Sequence, residues 1–463
     1  MSRLVVISNR LVEPSAKEKG ASGGLATALH AALREYRGIW FGWSGRVVEQ
    51  DEGHKLSLGE AGGVKLATLD LDHDDYDEYY NGYANRTLCP LFHYRIDLTA
   101  YDRAFDEGYH RVNQRFAQTV APLIEPEDLV WVHDYHLIPV AQELRKAGLR
   151  NRMGFFLHIP FPARQLLTTL PKHKQLIEGL FSYDLLGFQT KDHLEAFRDY
   201  VIHEAGGQVL DDNRVQCFGK TIEADAFPIG ADTADFLSMT KTTDATEMYE
   251  RMTSSLRGRR LVIGVDRLDY SKGIENRFEA YSKLLERYPE HRKSALMLQI
   301  APPSRTDVQE YQDLRNDLDS IAGRINRAFA EIDWVPLRYV NKGYRRTELA
   351  GLFRASRVAF VTPMRDGMNL VAKEFVAAQD PSDPGVLILS RFAGAAAQLK
   401  DALIVNPYDQ DDMVAALHSA LTMPLEKRQA LWKSLYDNVE KEDVVQWRDR
   451  FVTTLGACAP KAD

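Results

Sequence analysis

Short apolar runs rich in β-formers alternate with amphipathic stretches along almost the whole chain, and no other feature narrows the fold as much. Each alternation reads as strand–helix–strand, and repeated units of that kind build parallel sheets covered by helices. In the first half the pattern predicts strands at Leu4–Ser8, Leu129–His133, Met153–His158 and Asp184–Phe188, with helices over Leu25–Tyr36 and Pro139–Lys146. The second half repeats the scheme with Arg260–Val265, Ala295–Ile300, Val358–Thr362 and Val386–Ser390. Its clearest helix sets Ile274, Phe278, Tyr281, Leu285 and Tyr288 on one stripe and stops at Pro289. The passage AFPIGADT (226–233), giving way to the polar stretch Ser238–Arg257, marks a domain boundary, with a first domain of residues 1–232 and a second of residues 233–444. The chain's 463 residues suffice for two such α/β halves joined by a short linker.

Composition removes several classes of function. With 58 basic against 66 acidic residues, a net charge of −8, there is no overall basic field to attract nucleic acid. Three widely spaced cysteines, Cys89, Cys217 and Cys458, form neither a disulfide framework nor a zinc pattern and fit a reducing compartment. No apolar run approaches the ~18 residues of a membrane helix. These features predict a soluble cytoplasmic protein.

Ligands of parallel sheets bind beyond the carboxyl ends of strands, where loops and helix N-termini converge. Polar residues recur at six such ends here: Asn9-Arg10, Asp134-Tyr135-His136, His158 with Pro160-Phe161-Pro162, Asp266–Gly273, Pro302–Arg305 and Pro363–Asn369. Gly23 and Gly24, between a strand and a helix, would let backbone N–H groups approach an oxyanion, although a surface loop could use the same glycines. Arg267 and Lys272 flank the start of the 274–288 helix and suit a diphosphate. Asp366-Gly367-Met368-Asn369-Leu370 precedes a helix in which Glu374 could accept two hydrogen bonds from a sugar diol. His133, Asp134, His136 and His158 do not make a zinc set, because a strand turns neighbouring side chains to opposite faces; packed histidines with a backbone partner are expected. The acidic run Asp72–Glu78 lacks the pattern of a calcium loop and reads as a solvated segment, and Arg257–Arg260 reads as an exposed strand entry. Met364 and Met368 read as packing residues.

The motifs SNR (8–10), SGGL (22–25), FGWSG (41–45), DEYYNGYAN (77–85), VHDYHL (132–137), HIPFP (158–162), RLDYSKG (267–273), PPSR (302–305), RDGMNLVAKE (365–374) and LSRFAGAA (389–396) occur in order over residues 1–455. Together they resemble the trehalose-6-phosphate synthase family of retaining glycosyltransferases. The resemblance implies two Rossmann-like domains facing across a cleft (the GT-B arrangement), with a C-terminal helix at about residues 445–463 returning to the first domain. It implies transfer of glucose from a nucleoside-diphosphate glucose, usually UDP-glucose, to glucose 6-phosphate, without a metal or other cofactor, by a cytoplasmic homo-oligomer. On the donor side it assigns Gly23, Gly24, Arg267 and Lys272 to the diphosphate, Asp366, Gly367, Met368, Asn369 and Leu370 to glucose and phosphate, Glu374 to the ribose, and main chain near Tyr344 to the base. Arg10, Tyr80, Asp134 and Arg305 match the acceptor residues, and His158 matches a histidine at the donor sugar. His158, Arg267, Lys272 and Asp366 are therefore the expected catalytic group.

One departure stands out: Leu88-Cys89-Pro90 replaces the family's usual Leu-Trp-Pro beside the acceptor pocket. A related transferase using ADP- or GDP-glucose, or another phosphorylated acceptor, is the alternative this substitution raises. A non-catalytic sugar-phosphate sensor would be expected to have lost site residues that are all present. A nicotinamide dehydrogenase is disfavoured by the missing G-x-G-x-x-G. With the chain ending at Asp463, no appended phosphatase domain is expected.

Overall fold

The computed structural model describes residues 3–11, 29, 33–49, 55–304 and 309–459. The described residues divide into two compact α/β units, one formed by those up to Pro228 together with those from Trp447 onward, the other by Ile229–Gln446.

The first unit is built on strands β1 (Leu4–Arg10), β2 (Ile39–Val48), β3 (Ser57–Ala61), β4 (Val64–Asp72), β5 (Leu129–His133), β6 (Met153–Phe156), β7 (Leu185–Phe188), β8 (Gln208–Val209), β9 (Arg214–Cys217) and β10 (Lys220–Ala226). They pair in the order β3-β4-β2-β1-β5-β6-β7-β10-β9-β8. The stretch from β4 to β10 is parallel, while β3 closes one edge and β9 and β8 the other in antiparallel fashion. Leu4–Ile7 and all of β5 are buried, as expected for strands covered on both faces. From β1 the chain runs outward through β2 and β4, then returns to lay down β5, β6, β7 and β10 on the other side. The strand order therefore reverses between β1 and β5.

The last helix, Val444–Ala457, contributes its residues from Trp447 onward to this unit. Trp447 and Phe451 lie against Trp131, with ring centroids 5.1 and 4.6 Å away, and Phe451 also meets Phe227.

The second unit holds β11 (Arg260–Val265), β12 (Ala295–Ile300), β13 (Leu337–Val340), β14 (Val358–Val361), β15 (Val386–Ser390) and β16 (Leu403–Val405). All pair in parallel, in the order β13-β12-β11-β14-β15-β16. Numbered within the unit this is 3-2-1-4-5-6, the order of dinucleotide-binding sheets, and it reverses between β11 and β14.

Several expectations need correction. The acidic run is only partly solvated: Asp74 and Asp77 are exposed, but Asp72 caps a short helical turn by accepting from the Asp75 N–H at 2.8 Å, and Asp75 is fully buried. Arg111, at 2.9 Å, and Arg115 neutralise Asp75 from helix Arg103–Val120. Those partners arrive 36 and 40 residues later, beyond what a local reading of charge can see. The polar stretch 238–257 is largely helix, Thr243–Leu256, capped by the Thr242 hydroxyl. Strand β6 stops at Phe156, so His158 sits in the loop beyond it. Most of the helix expected over 25–36 lies outside the described residues.

Candidate active site

The two places where strand order reverses carry most of the expected site residues, each within its own unit. Such switch points open a crevice because the loops on either side diverge to opposite faces of the sheet.

In the first unit the loops leaving β1 and β5 bring Arg10 and Asp134 to one edge. The register between β1 and β2 shifts between Ile7 and Arg10, a local irregularity that re-aims the strand's end. The Arg10 guanidinium lies over Trp43, 5.5 Å from the ring centroid. Trp43 meets Tyr80 at 5.4 Å, and Tyr80 stacks on His136 at 6.0 Å. Tyr76 stacks on Tyr80 at 5.5 Å. Arg10, Tyr80 and the loop after β5 are thus linked by a continuous aromatic wall. Tyr80 itself sits on an unusually wide helical segment, Tyr76–Leu88, with i→i+5 bonding; the Cys89 N–H donates to the Ala84 carbonyl. Such π-helical turns are uncommon and gather at functional sites. Cys89, just past this segment, is buried, with its sulfur 3.8 Å from His93 Nδ1.

Asp134 has φ of 75°, a left-handed conformation that costs a non-glycine residue energy. There it accepts the backbone N–H of His158 on Oδ1 at 3.1 Å, while its own N–H donates to the Phe156 carbonyl at 2.8 Å. The strained residue therefore ties the loop after β5 to the loop after β6. The partner of His133 is not backbone, as expected, but the ring of His158, with Nδ1 and Nε2 3.0 Å apart. Burial pushes the His158 imidazole down to about 3, and burial together with His158 pushes His133 well below the ordinary histidine range. Both rings are neutral at physiological pH.

In the second unit, the loops after β11 and β14 meet. Lys272 Nζ and Asp366 Oδ2 form an ion pair at 2.6 Å, and Asn369 Nδ2 donates to the same oxygen at 3.1 Å. Burial works against the Lys272 ammonium, yet Asp366 and Asp269 outweigh it and the neighbouring positive Arg267, so its pKa is raised. Arg267 is exposed and has no ion-pair partner among the described residues. Gly273, at φ of 63°, turns the chain directly into helix Ile274–Arg287, whose first turn no side chain caps. Asn369, at φ of 82°, caps helix Leu370–Ala378 by accepting the Ala372 N–H at 3.2 Å. Gly367 and Met368 are buried beneath this turn, and the Ala395 N–H donates to the Met368 carbonyl at 2.8 Å. The LSRFAGAA segment thus braces the RDGMN loop from behind. Glu374 is half-buried on the same helix; burial raises its carboxyl to about 7, against the pull of Arg346 at 4.0 Å. Tyr344 lies in the loop between β13 and helix Arg346–Arg354, under the Lys342 ammonium at 5.1 Å.

Gly23, Gly24 and Arg305 lie outside the described residues. Residues that sequence reasoning missed include Trp43, Tyr76 and, in the second unit, Arg277, and the His158 partner of His133 was not foreseen. Arg277 is fully buried and donates to Asp266, Gln299, Thr362 and the Lys272 carbonyl. Its signal was an arginine on the apolar side of a helix, visible only once Ile274, Phe278 and Tyr281 are placed. Among the described residues, one trio has ligand atoms close enough to share a metal ion, Glu290, His291 and His418. It lies at the amino-terminal end of β12, the opposite edge from the loops above, and a 3.0 Å imidazole–imidazole contact and Tyr288 stacking already account for its geometry.

Arginine, lysine and helix N-termini gathered at the switch points of two parallel sheets define an α/β protein built for anionic, hydroxyl-rich ligands. The chain matches the model of Glycosyltransferase family 20 over residues 2–457 and belongs to that family. A trehalose-6-phosphate synthase of Klebsiella pneumoniae is 48% identical over 100% of this chain and 97% of its own, and one of Sinorhizobium fredii is 46% identical over 100% of both. Among solved structures, an α,α-trehalose-phosphate synthase (UDP-forming) of Burkholderia xenovorans in complex with glucose-6-phosphate is 49% identical, with a TM-score of 0.94 over 98% of this chain and 100% of that one. An E. coli trehalose-6-phosphate protein bound with UDP-2-fluoro glucose is 44% identical, with a TM-score of 0.94 over 99% and 100%. Among the described residues, no helix is long and apolar enough to cross a membrane.

Proposed function

We propose that this chain transfers glucose from UDP-glucose to the anomeric hydroxyl of glucose 6-phosphate, giving α,α-trehalose 6-phosphate and UDP with retention of configuration. The observation that carries the reading is the Lys272–Asp366–Asn369 constellation at the β11/β14 switch point, beside the exposed Arg267. A nucleotide sugar needs cations for its diphosphate and acceptors for its hydroxyls, and this loop pair offers both within one hydrogen-bonded group. Family membership, and similar structures solved in complex with glucose-6-phosphate and bound with UDP-2-fluoro glucose, support the same conclusion.

In this reading the second unit (233–444) takes the donor. Arg267 and Lys272 meet the diphosphate with Gly23 and Gly24, and the 366–370 loop holds the glucosyl and phosphate oxygens. Glu374 receives the ribose diol, and main chain near Tyr344 receives the base. The first unit (1–232, with the C-terminal helix) takes glucose 6-phosphate through Arg10, Tyr80, Asp134 and Arg305. His158 contacts the donor's glucosyl group. As the glycosidic bond breaks, negative charge grows on the β-phosphate, and Arg267, Lys272 and the N-terminus of helix 274–287 stabilise it. The family resemblance implies that the acceptor attacks from the leaving-group face and that the departing phosphate oxygen takes its proton; among the described residues no carboxylate stands out as a nucleophile. Trapping of a covalent glucosyl-enzyme would refute that step.

The identity of both substrates is tested by offering UDP-, ADP- and GDP-glucose with glucose 6-phosphate or glycerol 3-phosphate and measuring nucleoside diphosphate release. Release confined to UDP-glucose with glucose 6-phosphate is expected; turnover with another pair redirects the assignment. The same reading expects a cytoplasmic homo-oligomer, checked by light scattering and fractionation.

A further inference from the structure

We propose that His133 is a positioning residue that fixes the tautomer of His158, so that His158 presents an N–H donor from Nδ1 to an acceptor oxygen of the glucosyl group. This rests on the reading of His158 as a donor-sugar contact.

The geometry allows only two arrangements. Two neutral imidazoles meeting at 3.0 Å through His133 Nδ1 and His158 Nε2 share one proton between those atoms. If His133 carries it, His158 Nε2 accepts and the proton of His158 must lie on Nδ1. If His158 carries it, the proton of His133 must lie on Nε2, and His158 Nδ1 becomes an acceptor.

The surroundings of His133 Nε2 decide between them. That atom is buried with no hydrogen-bond partner among the described residues. The rings packed on His133, besides His158, are Trp131, Phe156 and Trp447. Their only polar atoms, the indole nitrogens of Trp131 and Trp447, are donors, offer no acceptor to Nε2, and are themselves buried without a partner among the described residues. No acceptor among the described residues lies within hydrogen-bond distance of Nε2, so an N–H there would be left unsatisfied. An orphaned buried N–H is also the rarer defect in folded proteins. His133 therefore keeps its proton on Nδ1 and gives that hydrogen bond to His158. Its aromatic cage has a second effect: with no acceptor near Nε2, the second ring cannot take up a compensating proton and flip the pair.

His158 is held from two directions at once. Asp134, in its strained conformation, accepts the His158 backbone N–H, while His133 orients the ring. Consecutive residues of one motif thus fix the main chain and the side chain of the same histidine.

The test combines a spectroscopic and a kinetic measurement on the full-length protein. Long-range 1H–15N spectra of ring-15N-histidine protein, assigned with single-histidine variants, identify which nitrogen is protonated. His158 protonated on Nδ1 is expected; protonation on Nε2 overturns the proposal. His133→Asn keeps a donor where Nδ1 stood, whereas His133→Phe removes it. His133→Phe is expected to lose ~10–100-fold in kcat, as for other residues that orient a working histidine, with KM for glucose 6-phosphate nearly unchanged. His133→Asn should recover most of that loss. Equal losses in both variants, or none in His133→Phe, would also overturn it. If His133→Phe does not fold, the spectra of the unaltered protein still decide. If the unaltered protein transfers no glucose, the assigned activity fails, and the spectra judge the tautomer independently.

Discussion

Replacing Arg277 with methionine probes the platform beneath the proposed donor loops. The Arg277 guanidinium donates to Asp266 Oδ2 at 2.6 Å, Gln299 Oε1 at 2.8 Å, Thr362 Oγ1 at 3.2 Å and the Lys272 carbonyl at 3.2 Å. These acceptors come from the ends of β11, β12 and β14 and from the turn that carries Lys272, so one side chain fastens three adjacent strands at the switch point. Methionine fills similar volume but leaves the Asp266 carboxylate buried without its charge partner. Breaking a buried pair this way costs about 3–5 kcal/mol, whereas an exposed pair contributes ~1 kcal/mol at most. Burial already raises the Asp266 pKa against the opposing pull of Arg277 and Lys272, so in the variant the carboxyl takes up a proton, which limits the loss to about 3 kcal/mol. A domain of this size shifts by ~2–4 °C per kcal/mol, so calorimetry of the full chain should show a transition lowered by roughly 6–12 °C. Adding Asp266→Asn removes the need to protonate that buried carboxyl and should restore part of the loss. A single variant melting within ~2 °C of the parent, or a double variant lowered by the sum of both singles, would refute the account.

Arg267→Ala should lower kcat by at least ~10²-fold, the usual loss of one donor to a developing oxyanion; full activity in steady-state assays removes it from the catalytic group. Gly45, at φ of 89°, leaves room for Arg10: a Cβ there would lie 2.5 Å from Arg10 Nε. Gly45→Ala should therefore raise KM for glucose 6-phosphate ~10-fold or more while leaving KM for UDP-glucose unchanged, since charge-assisted bonds contribute about 1.5–3 kcal/mol each; equal effects on both substrates would contradict it. Lys373 is buried, and burial lowers its pKa to about 7 from 10.5, so the unfolded chain binds the extra proton between those values. Stability should rise with pH through that window by a few kcal/mol at most, and Lys373→Met should flatten the slope of melting temperature against pH; an unchanged slope would show that Lys373 is not its source.

How much of this was legible in the sequence depends on how local each interaction is. Strands β5, β11, β12 and β15 were readable to the residue, because a strand buried on both faces is a short uninterrupted apolar run. The loops at their ends were readable as a polar edge for the same reason: the run stops and hydrogen-bonding residues begin. Asp75 was not. Nothing in Asp72–Glu78 distinguishes the two carboxylates that will be buried, Asp72 and Asp75, from the three that will not, since Arg111 and Arg115 are supplied by a later helix. His133 was half legible. Its burial followed from its place at the end of a β-rich run, but its partner stands on a different strand's loop, and no spacing rule pairs two strand ends across a sheet. The wide helix Tyr76–Leu88, which packs against helix Arg103–Val120, also has no periodic signature in YDEYYNGYANRTL that sequence reading could use.

The strained and buried polar residues explain how the loops proposed to take donor and acceptor can be ready before any ligand arrives. Lys272 does not wait as a free ammonium: it is already desolvated against Asp366, which Asn369 also holds. A diphosphate approaching Lys272 therefore meets a cation whose dehydration cost has been met during folding, and whose position the Arg277 contact to the Lys272 carbonyl helps to fix. Arg267, by contrast, is exposed and must lose water and side-chain freedom when it engages. The two cations should then differ in how they fail. Loss of Lys272 removes a preorganised charge and strands Asp366, so Lys272→Ala should damage kcat and lower the stability of the second unit together. Loss of Arg267 leaves folding intact and removes only stabilisation of the ligand. A Lys272→Ala protein with unaltered melting temperature would mean that the Asp366 pair contributes nothing to the fold, and the argument for a preformed diphosphate site would lose its physical basis.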